Sequence, residues 1–239
     1  MPGSLKTDAI VLRSMRYGEA DRILHLFTPE RGRLSAIAKG VRRAKSRFGG
    51  RLEPFFRLRL VLYQGRSDLL TVTSAETLAG HPRLREDAAA LDGAARACDA
   101  VSRLFDDHDA HLGVYHLLAN QLALLDADAA RATRANALAF RLKLLLAAGF
   151  APQLASCAAC GESDHLSGFS GAAGGVVCSA CEATAFPLSQ DAHDFLVSAL
   201  GSPLAQVGDA PPRALAQAER AIIETLEHHA NVQLRPVGA

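Results

Sequence analysis

Residues 56–65 read FRLRLVLYQG, and apolar side chains alternate with other residues along the stretch. Successive side chains of a β-strand point to opposite faces. Four apolar side chains therefore share one face: Phe56, Leu58, Leu60 and Leu62. The other face is largely basic and contains Arg57, Arg59, Val61 and Tyr63. This alternation predicts a strand with an apolar inner face and a basic outer face.

Four further short apolar runs surround this strand, at residues 9–14, 22–28, 33–40 and 69–76. Turn-forming residues separate them, including Tyr17-Gly18 and Gly49-Gly50. The run at 33–40 also alternates, with Arg33, Ser35, Ile37 and Lys39 on its outer side. Five short strands within about 70 residues predict a small closed or partly open β-barrel.

The charge is distributed unevenly along the chain of 239 residues. Its net charge is only +1, from 26 Lys and Arg and 25 Asp and Glu. Residues 1–80 nevertheless contain 15 basic and 7 acidic residues, a net charge of +8, and the remainder carries −7. Such asymmetry indicates that the N-terminal part meets a polyanion. A solvated basic surface is the alternative interpretation.

Basic residues are densest between residues 31 and 66, where Glu53 is the single acid. The segment from Lys39 to Arg51 links two predicted strands and is suited to neutralising phosphates. Phe48, Tyr63 or Phe55 could stack on bases, although core packing is favoured for Phe55. Aromatic residues make up only 5% of the chain, so binding should depend more on phosphates than on stacking. The candidate nucleic-acid-binding residues are Arg33, Lys39, Arg42, Arg43, Lys45, Arg47, Arg51, Arg57 and Arg59.

After residue 81 the apolar period changes from two to about 3.6, which predicts helices. The helical patterns cover residues 90–108, 111–128, 129–149, 188–200 and 212–231. Gly149 is typical of a helix C-terminus, and Ser189 and Asp209 are candidate helix starts. We therefore expect three domains: 1–80 as the barrel, 81–150 with 188–239 as a helical domain, and 151–187 as an insert.

The insert contains two Cys-x2-Cys pairs separated by 17 residues: Cys157, Cys160, Cys178 and Cys181. Two such pairs complete a tetrahedral shell of four thiolates, which predicts one structural zinc ion. An iron–sulfur cluster and a redox dithiol are the alternatives. His165, between the pairs, is expected to be a surface residue. Cys98 lies in a helical pattern and is expected to be a small buried side chain.

Composition excludes several functional classes. A chain that is 49% hydrophobic with 21% charged residues is not wholly disordered. No apolar run reaches the ~18–20 residues that span a bilayer, and the start lacks a signal-peptide pattern. We therefore expect a cytoplasmic protein without membrane contact.

Catalysis is not expected, because a four-thiolate shell leaves no open metal position. A zinc-dependent nucleic-acid enzyme would need a His-x-Glu before the cysteine pairs, and none is present. A non-enzymatic nucleic-acid-binding protein is the leading hypothesis. An RNA-binding zinc-ribbon accessory protein is the alternative.

The chain resembles the RecO DNA repair and recombination mediators of bacteria over nearly its whole length. The resemblance is carried by Ala9-Ile10-Val11-Leu12, residues 17–21 (YGEAD), 26–32 (LFTPERG), 38–46 (AKGVRRAKS) and 52–55 (LEPF), and by the cysteine insert followed by Phe186-Pro187-Leu188. It implies an α+β multidomain fold: an N-terminal OB-fold barrel and a central and C-terminal helical domain with an inserted four-cysteine zinc ribbon.

The resemblance also implies a function. RecO proteins bind single- and double-stranded DNA and anneal complementary strands. With RecR they promote loading of RecA onto DNA coated with single-strand binding protein, in the nucleoid-containing cytoplasm. Their DNA-binding stretch corresponds to five residues here: Lys39, Arg42, Arg43, Lys45 and Arg47.

Overall fold

A computed structural model describes residues 3–65, 69–181, 183, 185–230 and 232–237. The chain forms two compact units, Met1–Ala129 and Ala130–Ala239. The division into three domains remains a prediction about which segments fold independently. Its expected domains are 1–80, 81–150 with 188–239, and 151–187. Within the described residues, no helix combines the length and apolar character that are needed to cross a membrane.

The first unit contains the five predicted strands, and they close into a barrel. The barrel order is β1-β2-β3-β5-β4, which confirms the expected OB-fold. The strands are β1 (Gly3–Tyr17), β2 (Asp21–Thr28), β3 (Gly32–Ala38), β4 (Arg57–Gln64) and β5 (Leu70–Ala79).

Strand β1 closes the barrel because it pairs with two different strands. Its first half runs antiparallel to β4, with Thr7 opposite Leu60, and its second half to β2, with Ser14 opposite Leu24. The register shifts between Val11 and Arg13, where the strand passes from one partner to the other. The apolar run at 9–14 indicated only the middle of this 15-residue strand. The parallel pairing of β3 with β5 completes the closure.

The alternation along β4 is confirmed by burial. Leu58, Leu60 and Leu62 are fully buried in the barrel core, and the residues between them are partly or largely exposed. Phe48 and Leu52 come from the segment between β3 and β4, and they enter the same core. This segment therefore closes part of the barrel as well as connecting two strands.

Helices α1 (Ala88–Leu104) and α2 (Leu112–Ala127) belong to the same unit and pack on the outside of the barrel. The Phe105 ring, just after α1, meets the Phe27 ring edge to face at 6.1 Å between centroids. Gly32 has φ +58, and a Cβ there would lie 1.9 Å from the Asp109 carbonyl oxygen, so only glycine fits. Cys98 is buried on α1 as expected, and this burial raises the pKa of its thiol.

The second unit contains helices α3 (Arg134–Ala147), α4 (Gln190–Gly201) and α5 (Pro212–Thr225). Gly149, at φ +81, terminates α3, and the Phe150 N–H donates to Leu145 O at 2.8 Å. Ser189 caps α4 as predicted, since its hydroxyl accepts the Ala192 N–H. Asp209 does not start α5, which begins at Pro212. A residue before proline is disfavoured in the helical conformation, and Pro211 precedes Pro212.

The insert forms a small antiparallel sheet of strands β6 (Leu166–Ser170), β7 (Gly175–Cys178) and β8 (Phe186–Pro187), in the order β7-β6-β8. Its core at the cysteine end is small and consists of Cys157, Val177 and Cys178, with Leu166, Cys181 and Ala185 packed against it. Half of the residues in this cluster are cysteines, so apolar packing alone gives it little stability.

Candidate nucleic-acid interface and metal centre

The segment that follows β3 presents a group of exposed cations, which we call the basic loop (residues 39–51). Six of the predicted site residues are exposed there: Lys39, Arg42, Arg43, Lys45, Arg47 and Arg51. The loop is a succession of turns, in which the Arg43 N–H donates to Gly40 O at 3.1 Å and the Ser46 N–H to Arg43 O at 2.9 Å. Among the described residues, Lys39, Arg43 and Lys45 form no ion pair, so their charge is directed to solvent.

The β1–β2 turn holds the start of the basic loop. The Asp21 carboxylate accepts the Gly40 N–H at 2.7 Å, and the Arg42 N–H donates to Ala20 O at 2.9 Å. The Arg42 guanidinium also donates to Glu19 O at 3.0 Å. These bonds satisfy backbone groups of both segments, and they place the loop cations beside the Tyr17–Asp21 turn.

Phe48 anchors the far part of the basic loop. Its side chain is 2% exposed and lies in the barrel core, so the prediction that it could stack on bases is wrong. The Arg47 guanidinium lies 4.8 Å above the Phe48 ring and donates to Val72 O at 3.4 Å. Phe55 is also buried, as favoured, whereas Tyr63 is 45% exposed and remains able to stack.

The carboxylate nearest to the loop in sequence does not neutralise it. Glu53 accepts from the Arg22 guanidinium at 3.1 Å, and the Arg22 side chain also donates to the Ser14 hydroxyl. Residues 39–51 contain no acid. Within the loop itself, therefore, no carboxylate opposes the cations, and Asp21 of the adjoining turn accepts a backbone N–H of the loop.

The other three predicted residues lie elsewhere on the barrel. The Arg33 guanidinium donates to Asp107 Oδ1 at 2.6 Å and to the Ser102 carbonyl oxygen, both on the helical side of the unit. Arg59 forms an ion pair with Asp8 at 2.9 Å. Nε of Arg57 is buried without a hydrogen-bond partner among the described residues.

The length of β3 separates Arg33 from the basic loop. Lys39 follows Arg33 by six positions, which in an extended strand corresponds to about 20 Å. Arg33 and Arg59 each form an ion pair with a carboxylate of the same unit. This pairing weakens the attraction between either guanidinium and a phosphate. The structure thus brings six of the nine predicted residues together and leaves three apart.

Tyr17 is an exposed aromatic residue beside the basic loop that the sequence pattern did not single out. It is 53% exposed at the end of β1, next to the turn that holds the basic loop. Met15 and Tyr17 lie on the outer face of β1, so the alternation along this strand would have predicted that Tyr17 is exposed. The predicted strand, however, ended at residue 14. The strand continues because residues 14–17 pair with residues 21–24 of β2.

The four cysteines of the insert converge on one point. All four Sγ atoms lie within 4.8 Å of one another, and Cys160 Sγ is 3.7 Å from Cys178 Sγ. A tetrahedron with metal–sulfur bonds of about 2.3 Å has edges of about 3.8 Å. The cysteines are therefore placed to bind one metal ion, and their spacing fits zinc.

Backbone groups shape the two Cys-x2-Cys turns. Gly161, at φ +82, donates its N–H to Cys157 O at 2.8 Å, and the Cys181 N–H donates to Cys178 O at 2.9 Å. Backbone N–H groups, chiefly that of Cys178, lower the pKa of the Cys157 thiol to about 6. Contacts with the Cys160 and Cys178 thiols raise the pKa of Cys181 to about 12. Such crowded thiols become thiolates together only around a cation.

The hairpin turn between β6 and β7 docks on the end of α5. The Gly171 N–H donates to Glu224 at 3.3 Å, and the His229 ring lies 2.8 Å from Gly171 O. A Cβ at Gly171 would lie 2.8 Å from both Glu224 and His228, so glycine permits this approach. His165 is exposed and is not one of the four clustered side chains, in agreement with its predicted surface role.

Comparisons with known proteins identify the family of the chain. A family model described as "Recombination protein O N terminal" matches residues 1–81, and one described as "Recombination protein O C terminal" matches residues 85–236. A protein of an Anaeromyxobacter species, named DNA repair protein RecO, is 36% identical over 241 residues, covering 96% of this chain and 92% of its own.

Two further relatives carry the same name. The Myxococcus xanthus protein is 35% identical and covers 96% of this chain and 94% of its own length. The Rubrobacter xylanophilus protein is 38% identical, with coverage of 91% and 88%. Both family models and these relatives span almost the whole chain, which therefore belongs to the RecO family of DNA repair proteins.

Proposed function

We propose that this RecO-family protein binds single- and double-stranded DNA through the basic loop and anneals complementary strands. The observation that carries the proposal is the loop itself: six exposed cations on a segment anchored by Phe48, with Glu53 already paired to Arg22. Each phosphate that such cations neutralise releases a counterion, which favours binding without reading sequence. Arg33, Arg57 and Arg59 have a smaller part, because they are paired or partly buried.

Annealing by this route needs charge and geometry, and no chemical step. Two complementary strands repel each other through their phosphates, and cations held between them lower that repulsion so that pairing can nucleate. The protein would act as a mediator and not as an enzyme. The four-thiolate centre is consistent with this, because it offers no open position for a substrate or a water molecule.

Family membership supports a place for this activity in recombination. With RecR, the protein would promote loading of RecA onto DNA coated with single-strand binding protein, in the cytoplasm at the nucleoid. Contact with RecA would be indirect.

We propose that the four cysteines hold one structural Zn²⁺. Tetrahedral four-thiolate geometry suits zinc, and the metal would stabilise the cysteine end of the ribbon, where the apolar cluster is small. The side chains that would bind it are Cys157, Cys160, Cys178 and Cys181.

A salt titration of the variant Arg42→Ala/Arg43→Ala/Lys45→Ala tests the DNA interface. Loss of three phosphate contacts should reduce the slope of log affinity against log salt by about 2.7 for duplex DNA and about 2 for single strands. Annealing should slow in parallel. Fluorescence anisotropy over a salt series, with a strand-annealing assay, measures both.

A matched control removes three arginines elsewhere: Arg96→Ala/Arg103→Ala/Arg213→Ala. It changes the net charge by the same amount, and we expect its salt slope to equal that of the unchanged protein. Equal slopes for the loop variant and the unchanged protein would reject the proposed interface. Competition between single-stranded DNA and RNA of one sequence at fixed salt addresses the alternative, since a clear preference for RNA would favour an RNA-binding protein.

A further inference from the structure

A continuous row of side chains crosses all five strands on the outer face of the barrel. Register pairs Met15 with Ile23, Ile23 with Ile37, Ile37 with Thr71, and Thr71 with Tyr63. Cross-strand partners point to the same face of a sheet, so these five side chains form one row. Four strand spacings make the row about 19 Å long. Met15, Ile23 and Thr71 are partly exposed and Ile37, in the middle of the row, is buried. The row ends at Tyr63, which is the exposed member of the five.

The two exposed tyrosines stand at opposite sides of this row. Tyr63 terminates it on β4, and Tyr17 lies on β1, two residues beyond Met15 and on the same face. Tyr17 is 53% and Tyr63 45% exposed, whereas the third tyrosine of the chain, Tyr115, is buried. Exposed aromatic rings next to cations offer faces on which unpaired bases can stack.

The basic loop adjoins the row at both tyrosines. Tyr17 is paired with Asp21, whose carboxylate accepts the Gly40 N–H. On the other side, Arg47 donates to Val72 O, and Val72 follows Thr71, the partner of Tyr63. Lys39 directly follows β3 in the middle of the surface. The exposed cations of the basic loop and the two exposed tyrosines are therefore linked to the same row of strand residues.

We propose that Tyr17 and Tyr63 stack on unpaired bases and thereby make this surface prefer single-stranded over duplex DNA. This inference rests on the proposed DNA-binding function and deepens it. The cations contact phosphates, which both forms of DNA expose, so they contribute affinity to both. A tyrosine ring needs the free face of a base, and in a duplex those faces are covered by neighbouring base pairs.

Anisotropy with a labelled oligothymidylate and a labelled blunt duplex tests the proposal at one salt concentration. Each alanine substitution, Tyr17→Ala or Tyr63→Ala, should lower single-strand affinity by about 5- to 150-fold. Duplex affinity should stay unchanged, so the single-strand preference falls by the same factor. Tyr17→Phe and Tyr63→Phe keep an aromatic ring and should keep the preference. Leu112→Ala, at another exposed apolar side chain, is the matched control and should change neither affinity.

A second measurement reports stacking directly. A strand that contains 2-aminopurine should change its fluorescence when it binds the unchanged protein, and this change should be lost in Tyr17→Ala/Tyr63→Ala. Circular dichroism confirms that each variant is folded.

The possible outcomes distinguish a failure of the base-stacking inference from a failure of the proposed DNA-binding function. If the tyrosine variants bind both probes as before, or lose both equally, the stacking inference is wrong. If the Arg42/Arg43/Lys45 triple variant still weakens both probes, DNA binding by the loop stands regardless. If that triple variant changes neither probe, the proposed function fails first.

Discussion

Replacing Cys178 by serine should abolish metal binding and unfold the cysteine end of the ribbon. One zinc ion per chain is expected in the unchanged protein and none in Cys178→Ser. A serine hydroxyl does not replace a thiolate as a zinc ligand, and the remaining three thiolates would leave the ion open to water. Binding of a structural zinc supplies an apparent ~10–16 kcal/mol in zinc-finger peptides, and here little apolar packing could compensate for its loss.

Elemental analysis of the purified chain measures the metal content, and limited proteolysis measures the exposure of residues 155–187. His165→Ala is the matched control, because its side chain lies between the two pairs in sequence and is exposed. It should keep one zinc ion and the proteolytic pattern of the unchanged protein. A full complement of zinc in Cys178→Ser would contradict the four-thiolate site.

Truncating Phe48 to alanine should have the second large effect, because this side chain fills the barrel core from within the basic loop. Phe→Ala substitutions in cores cost about 3–5 kcal/mol, and Phe48 is only 2% exposed. A loss of that size lowers the melting temperature by about 10 °C or more for a unit of this length. The variant should also bind DNA more weakly at temperatures at which it is still folded, because the loop cations lose the side chain that anchors them to the barrel.

Thermal unfolding followed by circular dichroism gives the first quantity, and anisotropy well below the melting temperature gives the second. Phe48→Leu retains most of the buried volume and should cost less than about 1.5 kcal/mol. Tyr17→Ala removes an exposed aromatic ring from the same side of the barrel and should leave the melting temperature unchanged. A Phe48→Ala protein as stable as the unchanged chain would show that the loop is not anchored through this core.

The sequence pattern predicted those features that depend on interactions between residues close together along the chain. The alternation in residues 56–65 predicted which side chains of β4 enter the core, because a strand places successive residues on opposite faces. Ser189 and Gly149 marked helix ends through capping bonds made within a few residues. The spacing of the cysteine pairs predicted the metal centre, since two short turns already place each pair of sulfurs together.

Sequence patterns did not predict contacts between residues that are far apart along the chain. Arg33 looked equivalent to Lys39 in sequence, but its guanidinium bonds to Asp107, which lies 74 residues away. The sequence placed Phe48 in a loop and suggested an exposed aromatic ring, but its side chain is buried in the barrel core. Tyr17 fell outside the predicted strand because β2 prolongs β1 beyond its apolar run.

The sequence by itself thus determined the approximate barrel strands and helices, the inward and outward faces of β4, the excess of cations in residues 1–80 and the four cysteines that cluster. Each of these follows from backbone period, local hydrogen bonding or simple charge. Only the tertiary structure decided the closure of β1 onto two partners and the parallel contact of β3 with β5. It also decided which arginines keep a free charge. These depend on which distant groups come into contact, because an ion pair or a core contact forms between neighbours in space, whatever their separation along the chain.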